Sequence, residues 1–200
     1  MFLSLDIALF RVLNGRVRSA TLDAVLPLFS DAWIFYACGA VFVLGYAWYC
    51  RRRYGEALAR VCVLVLLLGL SAGVADVSCN LIKDQVGRHR PFQTEAGTHF
   101  FTSDRQWTVI DKPSYRYGST GGSFPSSHAA TSMAATMVLA LLFRRSRPWI
   151  FALPLLVAWS RLYVGKHFPV DVVAGWGVGV VSALAVWWSC QIASARFFRR

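Results

Sequence analysis

The sequence predicts an all-α fold, a polytopic bundle of membrane-spanning helices. Of its 200 residues, 56% are hydrophobic and only 16% are charged, against roughly a quarter charged in soluble domains. The apolar residues lie in runs that approach the length of about 20 helical residues needed to cross a bilayer core. The net charge of +11 comes mostly from cations between these runs. We therefore expect one integral-membrane domain, residues 1–200, with five spanning helices.

Five apolar runs define the predicted spans. They are Trp33–Tyr49, Leu58–Ile82, Ala129–Phe143, Trp149–Val164 and Val170–Ala195. Before them, Phe2–Leu13 alternates apolar and polar residues at roughly helical spacing. This pattern predicts an N-terminal amphipathic helix lying in the membrane interface. The segment is too short to be read as a sixth span.

Clusters of arginine follow the odd-numbered spans, which places them on one side of the membrane. They are Arg51, Arg52, Arg53 and Arg60, then Arg144, Arg145 and Arg147, and finally Arg196, Arg199 and Arg200. The positive-inside rule assigns that side, with the C-terminus, to the cytoplasm. Arg11, Arg16 and Arg18 fall on the other side, where we expect them to bind acidic headgroups. Topology explains this basic charge, and no nucleic-acid partner is needed.

A second set of basic residues falls on the non-cytoplasmic face, where orientation does not require them. The cations are Lys83, Arg88, Arg90, Arg105, Lys112, Arg116, Arg161 and Lys166, and the histidines are His89, His99, His128 and His167. We expect this face to bind an anion. It also carries the loop 92–124 between the second and third spans, and loops of this length are often functional.

The first segment with candidate chemistry ends the second span. Lys83 and Arg90 are seven residues apart, which is two helical turns if the helix continues to Pro91. A lysine and an arginine at a helix exit are suited to clamp a phosphate, the arginine by bidentate donation. The alternative is that both cations extend to the interface and only anchor the helix end.

The second segment enters the third span with Ser126, Ser127 and His128. Small hydroxyl residues before a helix supply an N-cap and leave backbone N–H groups for an anion. A histidine at the edge of an apolar helix is often functional, because hydrocarbon solvates it poorly. The alternative is a simple cap beside a hydrogen-bonded histidine.

The third segment connects the last two predicted spans. His167 and Asp171 are four residues apart, and Pro169 suits the first turn of the last helix. A carboxylate one turn from an imidazole holds its tautomer and raises its nucleophilicity. Arg161, at the end of the fourth span, adds a cation. The alternative is a helix-capping aspartate with an incidental histidine.

Taken together, the three segments resemble the signature of the type 2 phosphatidic acid phosphatase superfamily, which includes the vanadium haloperoxidases and glucose-6-phosphatase. Its motifs KxxxxxxRP, PSGH and SRxxxxxHxxxD match Lys83–Pro91, Pro125–His128 and Ser160–Asp171, in the family's order. One position departs from the pattern, because Ser127 stands where the family has glycine. Serine keeps the backbone N–H and adds bulk beside the phosphate.

The resemblance implies a role for each matched residue. His167 would be the nucleophile that forms a phosphohistidine, with Asp171 orienting it, and His128 would be the general acid. The residues implied to bind the phosphoryl oxygens are Lys83, Arg90, Ser126, Ser127 and Arg161. The family needs no metal or other cofactor. In agreement, the sequence has no acidic cluster suited to Mg²⁺ on this face.

The function that the resemblance implies is a bacterial inner-membrane lipid phosphatase acting at the outer face. Candidate substrates are undecaprenyl diphosphate, phosphatidate, phosphatidylglycerol phosphate and lipid A 1-phosphate. The main alternative is a phosphotransferase that passes the phosphoryl group to another lipid, such as lipid A. A haloperoxidase fits a polytopic chain poorly. A non-catalytic lipid transporter or scaffold is disfavoured because the sequence shows no repeat. The sequence does not determine the oligomeric state.

Several residues keep two interpretations. Asp76 either pairs with Asn80 or an N-terminal arginine or takes part in proton or substrate handling. Arg88 and Lys166 flank the motifs and are candidates for contact with a second phosphate or the headgroup. The loop aromatics either form a lid over the site or belong to the aromatic belt of the interface; they are Phe100, Phe101, Trp107, Tyr115 and Tyr117.

Overall fold

The structure is a computed structural model that describes residues 2–113, 122–143 and 147–197. Some residues with an expected role lie outside these ranges: Tyr115, Arg116, Tyr117, Arg144, Arg145, Arg199 and Arg200. Most of the described chain is helical, as predicted.

The helices are α1 Phe2–Arg11, α2 Ala20–Val25, α3 Ala32–Tyr54, α4 Leu58–Val86, α5 Pro91–Thr94, α6 Ser127–Leu142, α7 Arg147–Ile150, α8 Ala152–Tyr163 and α9 Pro169–Phe197. A π-helical turn, Val12–Arg16, follows α1, and a 3₁₀ turn, Leu26–Ser30, follows α2. Three short helical segments, namely the π-helical turn, α2 and the 3₁₀ turn, therefore lie between α1 and the helix of the first predicted span.

A β-hairpin within the loop 92–124 is an addition to the predicted all-α fold. Strands β1 Thr98–Phe101 and β2 Trp107–Ile110 pair antiparallel, with Thr98 opposite Ile110. Phe100 and Ile110 are buried with Phe92, and the Phe92 and Phe100 rings stack. Each strand is only four residues long, too short to show a strong period-2 pattern in the sequence.

Two helical segments of the described chain are long and apolar enough to cross a bilayer: Leu58–Thr94 and Pro169–Ala193. Within the 18-residue apolar stretch of each segment, only 22% and 33%, respectively, is buried inside the protein. Most of each stretch therefore presents apolar side chains outward. By contrast, α6 has 16 residues and α8 has 12. Twelve residues rise about 18 Å, less than a hydrocarbon core of about 30 Å. The total of five spans therefore stays a prediction.

Helix α6 lies at the centre of the bundle and packs against α4, α8 and α9. The core between them consists mainly of small residues, among them Ala75, Ala130, Ala134 and Ala183. On α9, Gly175 and Gly179 face the α6 backbone, and a Cβ added at Gly175 would lie 2.5 Å from the Ser126 carbonyl oxygen. Small residues four apart allow this close approach of helices, as in GxxxG interfaces.

We expect Gly179→Val to destabilise the bundle by about 1–3 kcal/mol, the usual cost of overpacking. A Cβ at Gly179 would collide with the carbonyl oxygen of Ala130, whereas one at Gly177 meets no heavy atom within 4 Å. Gly177→Val, on the same helix, is therefore the matched control. Unfolding of the detergent-solubilised protein with increasing SDS measures both. Equal unfolding midpoints for the two variants would contradict this packing.

The N-terminal segment packs onto the bundle end that carries the three motif segments. The Phe10 ring meets Phe168 edge-on at 5.3 Å. Arg18 pairs with Asp23 and lies over the rings of Trp107 and Tyr163. The headgroup role expected for Arg18 is therefore replaced by contacts within the protein.

Arg11 and Arg16, the other N-terminal arginines, differ in their partners. Arg11 pairs with Glu95 at 3.0 Å, while its side chain stays 66% exposed. Arg16 is exposed. Both side chains are exposed, and their binding to headgroups stays a prediction.

Candidate functional site

Alternating helix direction brings the three motif segments to one end of the bundle. The C-terminal ends of α4 and α8 and the N-terminal ends of α6 and α9 meet there. The segment before α6 covers the end of α4, and the Ser123 N–H donates to the Arg88 carbonyl oxygen at 2.6 Å. The convergence expected from the span ends is thus present in the structure.

His167 lies in the link between α8 and α9 and is only 2% exposed. Its Nδ1 is 2.8 Å from the Ser123 carbonyl oxygen. A carbonyl oxygen only accepts, so this contact requires the proton on Nδ1 and leaves the lone pair on Nε2. The backbone of Ser123 therefore selects the tautomer in which Nε2 is nucleophilic.

Burial lowers the pKa of His167 to about 3. The charges of Arg161 and Arg90 act in the same direction, and the nearby Asp171 opposes them. Because this pKa lies below the usual histidine value of about 6.5, the ring stays neutral at neutral pH. The lowered pKa of His167 also makes the free energy of unfolding depend on pH. Stability falls as pH drops from about 6.5 towards 3, because in this range the unfolded chain binds the His167 proton more readily than the folded one.

Asp171 is fully buried in the first turn of α9 and has several donors around it. Its Oδ1 accepts from Arg88 at 2.7 Å, and its Oδ2 accepts from the Phe168 N–H at 2.8 Å and from the Ser123 hydroxyl. The distance from Oδ2 to His167 Nδ1 is 3.7 Å, longer than a hydrogen bond. Asp171 therefore acts on His167 through charge, while Ser123 makes the direct contact.

Lys83 is held in the site by its neighbours on α4 and by Ser127. Its Nζ donates to the Asn80 side-chain oxygen at 3.3 Å and contacts the Ser127 hydroxyl. Asn80 in turn donates to Asp76 at 3.2 Å. Asp76 thus takes the expected pairing with Asn80, and the serine that replaces the family's glycine contacts the motif lysine.

Arg90 does not lie on the same helix as Lys83. The sequence predicted the two residues to be two turns apart on one helix that continues to Pro91. Helix α4 ends at Val86, and Arg90 instead precedes α5, where its N–H donates to Gln93 Oε1 at 2.9 Å. Its Nη1 is 3.5 Å from the Lys166 carbonyl oxygen. The chain after α4 turns back and brings Arg90 to the third motif segment by a different route.

Several cations crowd together around this centre. Arg161 is 4% exposed, and the Nε atoms of Arg90 and Arg161 are buried without a partner in the described structure. Burial and, to a smaller extent, the charges of Arg161 and Arg90 together lower the pKa of Lys166 to about 8. His128 lies within electrostatic range of Arg161, Lys166 and Lys83. Buried cations in mutual repulsion are stabilised by an anion, which is what a phosphate supplies.

Ser126 is buried and bonded within the protein. Its N–H donates to the Asp171 carbonyl oxygen at 2.9 Å, and its hydroxyl accepts from the Ala129 N–H as the cap of α6. The hydroxyl contact is the helix cap that the sequence offered as the alternative role for this residue, and the N–H contact joins the start of α6 to α9. The phosphate-binding role predicted for Ser126 stays a prediction.

Other expectations are corrected by contacts. Arg88 binds Asp6 and Asp171, so its guanidinium is directed at carboxylates rather than at a second phosphate or headgroup. Phe100 packs in the core, while Phe101 and Trp107 pair with each other. The described aromatics therefore support the hairpin, and neither a lid nor a belt accounts for Phe100.

Sequence reasoning missed Ser123 and Asp6. Ser123 is one of several serines in a Gly- and Ser-rich segment, and Asp6 is one polar residue in an amphipathic pattern. Neither occupies a motif position. Their partners are 48 and 164 residues away in the chain, so local spacing contained no signal for either.

We expect Gly165→Ala to lower the turnover of the phosphatase reaction that the motifs imply about tenfold or more, since a small misplacement of a reacting group is costly. Gly165 has φ +77°, and an added Cβ would lie 2.6 Å from the His99 carbonyl oxygen of β1. The variant would push the hairpin away from the link that carries His167. The rate of phosphate release by the variant, compared with that of the wild-type protein, measures the effect of this displacement on turnover.

Gly55→Ala is the matched control for Gly165→Ala. Gly55 has φ +74° but meets no heavy atom within 4 Å, so that variant carries the backbone strain without the collision. It caps the C-terminal end of α3, in the connection between the first and second predicted spans. Equal loss of turnover in both variants would show that the hairpin does not position His167.

Comparison with known proteins identifies the family to which this chain belongs. Residues 60–194 match the model of the PAP2 superfamily. A lipid A 1-phosphatase of Rhizobium johnstonii is 29% identical over 162 residues, covering 79% of this chain and 62% of that protein. An undecaprenyl-diphosphatase of Sulfolobus acidocaldarius is 29% identical over 178 residues, covering 87% of this chain and 73% of that protein.

The fold has counterparts among solved structures. The crystal structure of Aquifex aeolicus LpxE aligns with a TM-score of 0.66 at 19% identity, covering 92% of this chain and 94% of that one. At this identity the likeness concerns the fold alone. The family match covers more than half of the chain and includes all three motif segments. The resemblance seen in the motifs is therefore confirmed: the chain is a membrane protein that belongs to the PAP2 superfamily.

Proposed function

We propose that this protein is an integral-membrane lipid phosphatase that hydrolyses a lipid phosphomonoester or diphosphate through a phosphohistidine on His167. One observation carries the proposal: a buried, neutral His167 lies in a site that also contains buried cations. The His167 proton is on Nδ1, so Nε2 keeps its lone pair. A neutral imidazole is a nucleophile, and the cations stabilise the charge on the transferring phosphoryl group.

The reaction proceeds in two steps. His167 Nε2 attacks phosphorus and forms a P–N bond, while the bond from phosphorus to the leaving oxygen breaks and His128 protonates that oxygen. His128 then takes a proton from water, which attacks phosphorus and breaks the P–N bond. Asp171 offsets the positive charge that the imidazole gains. Neither step uses a metal or other cofactor, as the resemblance implies.

Lys83, Arg90 and Arg161 bind the phosphoryl oxygens in this proposal, with N–H groups of the first turn of α6. Ser127 contributes its N–H, and its hydroxyl holds Lys83. Ser126 contributes by capping that turn. Lys166 lies beside this group and is positioned to meet a second phosphate or a headgroup.

The substrate is a lipid whose phosphate reaches the end of the bundle while its tails remain in the bilayer. Relatives named for lipid A 1-phosphate and undecaprenyl diphosphate both support this class. Phosphatidate and phosphatidylglycerol phosphate remain candidates within it. The arginine distribution supports an active face on the outer side of the bacterial inner membrane, with the C-terminus in the cytoplasm.

A panel of these lipids, labelled with ³²P at the terminal phosphate and presented in detergent micelles with an unlabelled acceptor lipid, tests the proposal. We expect the purified protein to release label as inorganic phosphate from at least one of them. Label recovered in the acceptor lipid would show phosphotransfer instead of hydrolysis. Label remaining in every donor would overturn the proposal.

A further inference from the structure

Asp6 of the N-terminal helix is connected to the candidate nucleophile through the partly exposed Arg88 and the buried Asp171. Asp6 is 3% exposed, and its Oδ2 accepts from Arg88 Nη2 at 2.5 Å. The other terminal nitrogen of Arg88, Nη1, donates to Asp171 Oδ1 at 2.7 Å. Asp171 Oδ2 lies 3.7 Å from His167 Nδ1. One guanidinium therefore bridges two buried carboxylates beside the reacting imidazole.

The Arg88 guanidinium is held on its face as well as at its edge. Its central carbon lies 4.3 Å from the centre of the Phe168 ring, and Phe10 packs against that ring. Asp6 Oδ1 also accepts from the Val170 N–H at 2.9 Å, at the start of α9. A planar arginine fixed by two carboxylates and an aromatic face has little freedom to rotate.

This arrangement determines where the Asp171 charge lies. Arg88 takes Oδ1, and the Ser123 hydroxyl and the Phe168 N–H take Oδ2, so the carboxylate plane is fixed next to His167. Asp6 shares the Arg88 charge, which leaves the group of Asp6, Arg88 and Asp171 with one net negative charge. That charge favours the imidazole as it becomes positive during P–N bond formation.

We propose that Asp6 and Arg88 are positioning residues that hold the Asp171 carboxylate, and its charge, beside His167. The proposal rests on the proposed phosphohistidine reaction. Asp6 lies outside residues 60–194, the region that matches the family model. The N-terminal helix would thus support the catalytic site, in addition to the membrane-interface position predicted for it.

A structural role for Asp6 is the alternative, because its contact with the Val170 N–H joins α1 to α9. A structural role and a positioning role predict different kinetic results. A double-mutant cycle separates the two roles. The variants are Asp6→Asn, Asp171→Asn and the double variant, with kcat and KM measured on the best lipid of the panel and on p-nitrophenyl phosphate. We expect Asp6→Asn to lower kcat about tenfold, the usual scale when a group that orients a functional side chain is removed, with KM within about twofold.

In the Asp171→Asn background we expect Asp6→Asn to cause no further loss, since its effect passes through Asp171. Glu95→Gln is the matched control, because it breaks the other described ion pair of α1, with Arg11, away from Asp171. An equal fold-loss from Asp6→Asn in both backgrounds would overturn the proposal. So would an unchanged kcat, or a loss of kcat that Glu95→Gln shares.

The two substrates distinguish failure of this proposal from failure of the proposed function. Wild-type protein that hydrolyses p-nitrophenyl phosphate but no lipid refutes the lipid assignment and leaves the cycle measurable. Wild-type protein that hydrolyses neither overturns both, because the positioning role is assigned to that reaction.

Discussion

His167→Asn is expected to lower phosphate release by a factor on the order of 10⁴ or more, the usual result of removing a covalent nucleophile. Asparagine keeps a polar donor that can reach the Ser123 carbonyl oxygen but has no Nε2 lone pair. The loss should appear in kcat, since the cations that bind the phosphate are unchanged. Single-turnover reactions with ³²P-labelled lipid provide the measurement.

The covalent intermediate provides a second readout for His167. Acid-labile, base-stable label on the protein is the expected property of a phosphohistidine, and His167→Asn should abolish it. His99→Asn is the matched control, because His99 lies in β1, where its backbone rather than its ring meets Asn14. Substantial turnover in His167→Asn, or acid-stable label on the wild-type protein, would contradict the mechanism.

Arg161→Gln is expected to lower kcat/KM by about 10²–10³-fold, the range found when one preorganised donor to a developing charge is removed. Arg161 is 4% exposed at the end of α8, and its Nε is buried without a partner in the described structure. Arg161→Lys should recover part of this loss, because it restores the charge without the planar fork. Arg105→Gln is the control, since Arg105 pairs with Asp31 on an exposed surface.

The same substitution should leave the fold as stable as before or make it more stable. Arg161 is buried near Arg90 and Lys166, so its removal relieves repulsion between cations and the cost of burying one of them. A gain in stability with a loss of activity is typical of a residue kept for function. The SDS midpoint of unfolding measures this. A marked decrease, together with lost activity, would indicate a structural role.

The motif residues could be predicted from the sequence because each motif is local. Lys83, His128 and Arg161 lie at ends of apolar runs, and helices that alternate in direction must bring such ends to the same side. The four-residue spacing of His167 and Asp171 predicted a carboxylate that holds the imidazole tautomer, but Asp171 is 3.7 Å from His167 Nδ1 and the Ser123 carbonyl oxygen makes that contact instead. The hairpin and the early end of α4 were missed, because short strands and a single helix stop leave weak periodic signals.

Composition, apolar runs and ordered motifs by themselves determined that this is a helical membrane protein of the PAP2 superfamily, because hydropathy and short-range spacing are properties of the linear chain. Only the tertiary structure decided how the site is supported. It placed the Ser123 carbonyl on His167 and joined Asp6 to Asp171 through Arg88. These contacts join residues 44 to 83 positions apart, and such pairings depend on how the helices pack rather than on any local pattern.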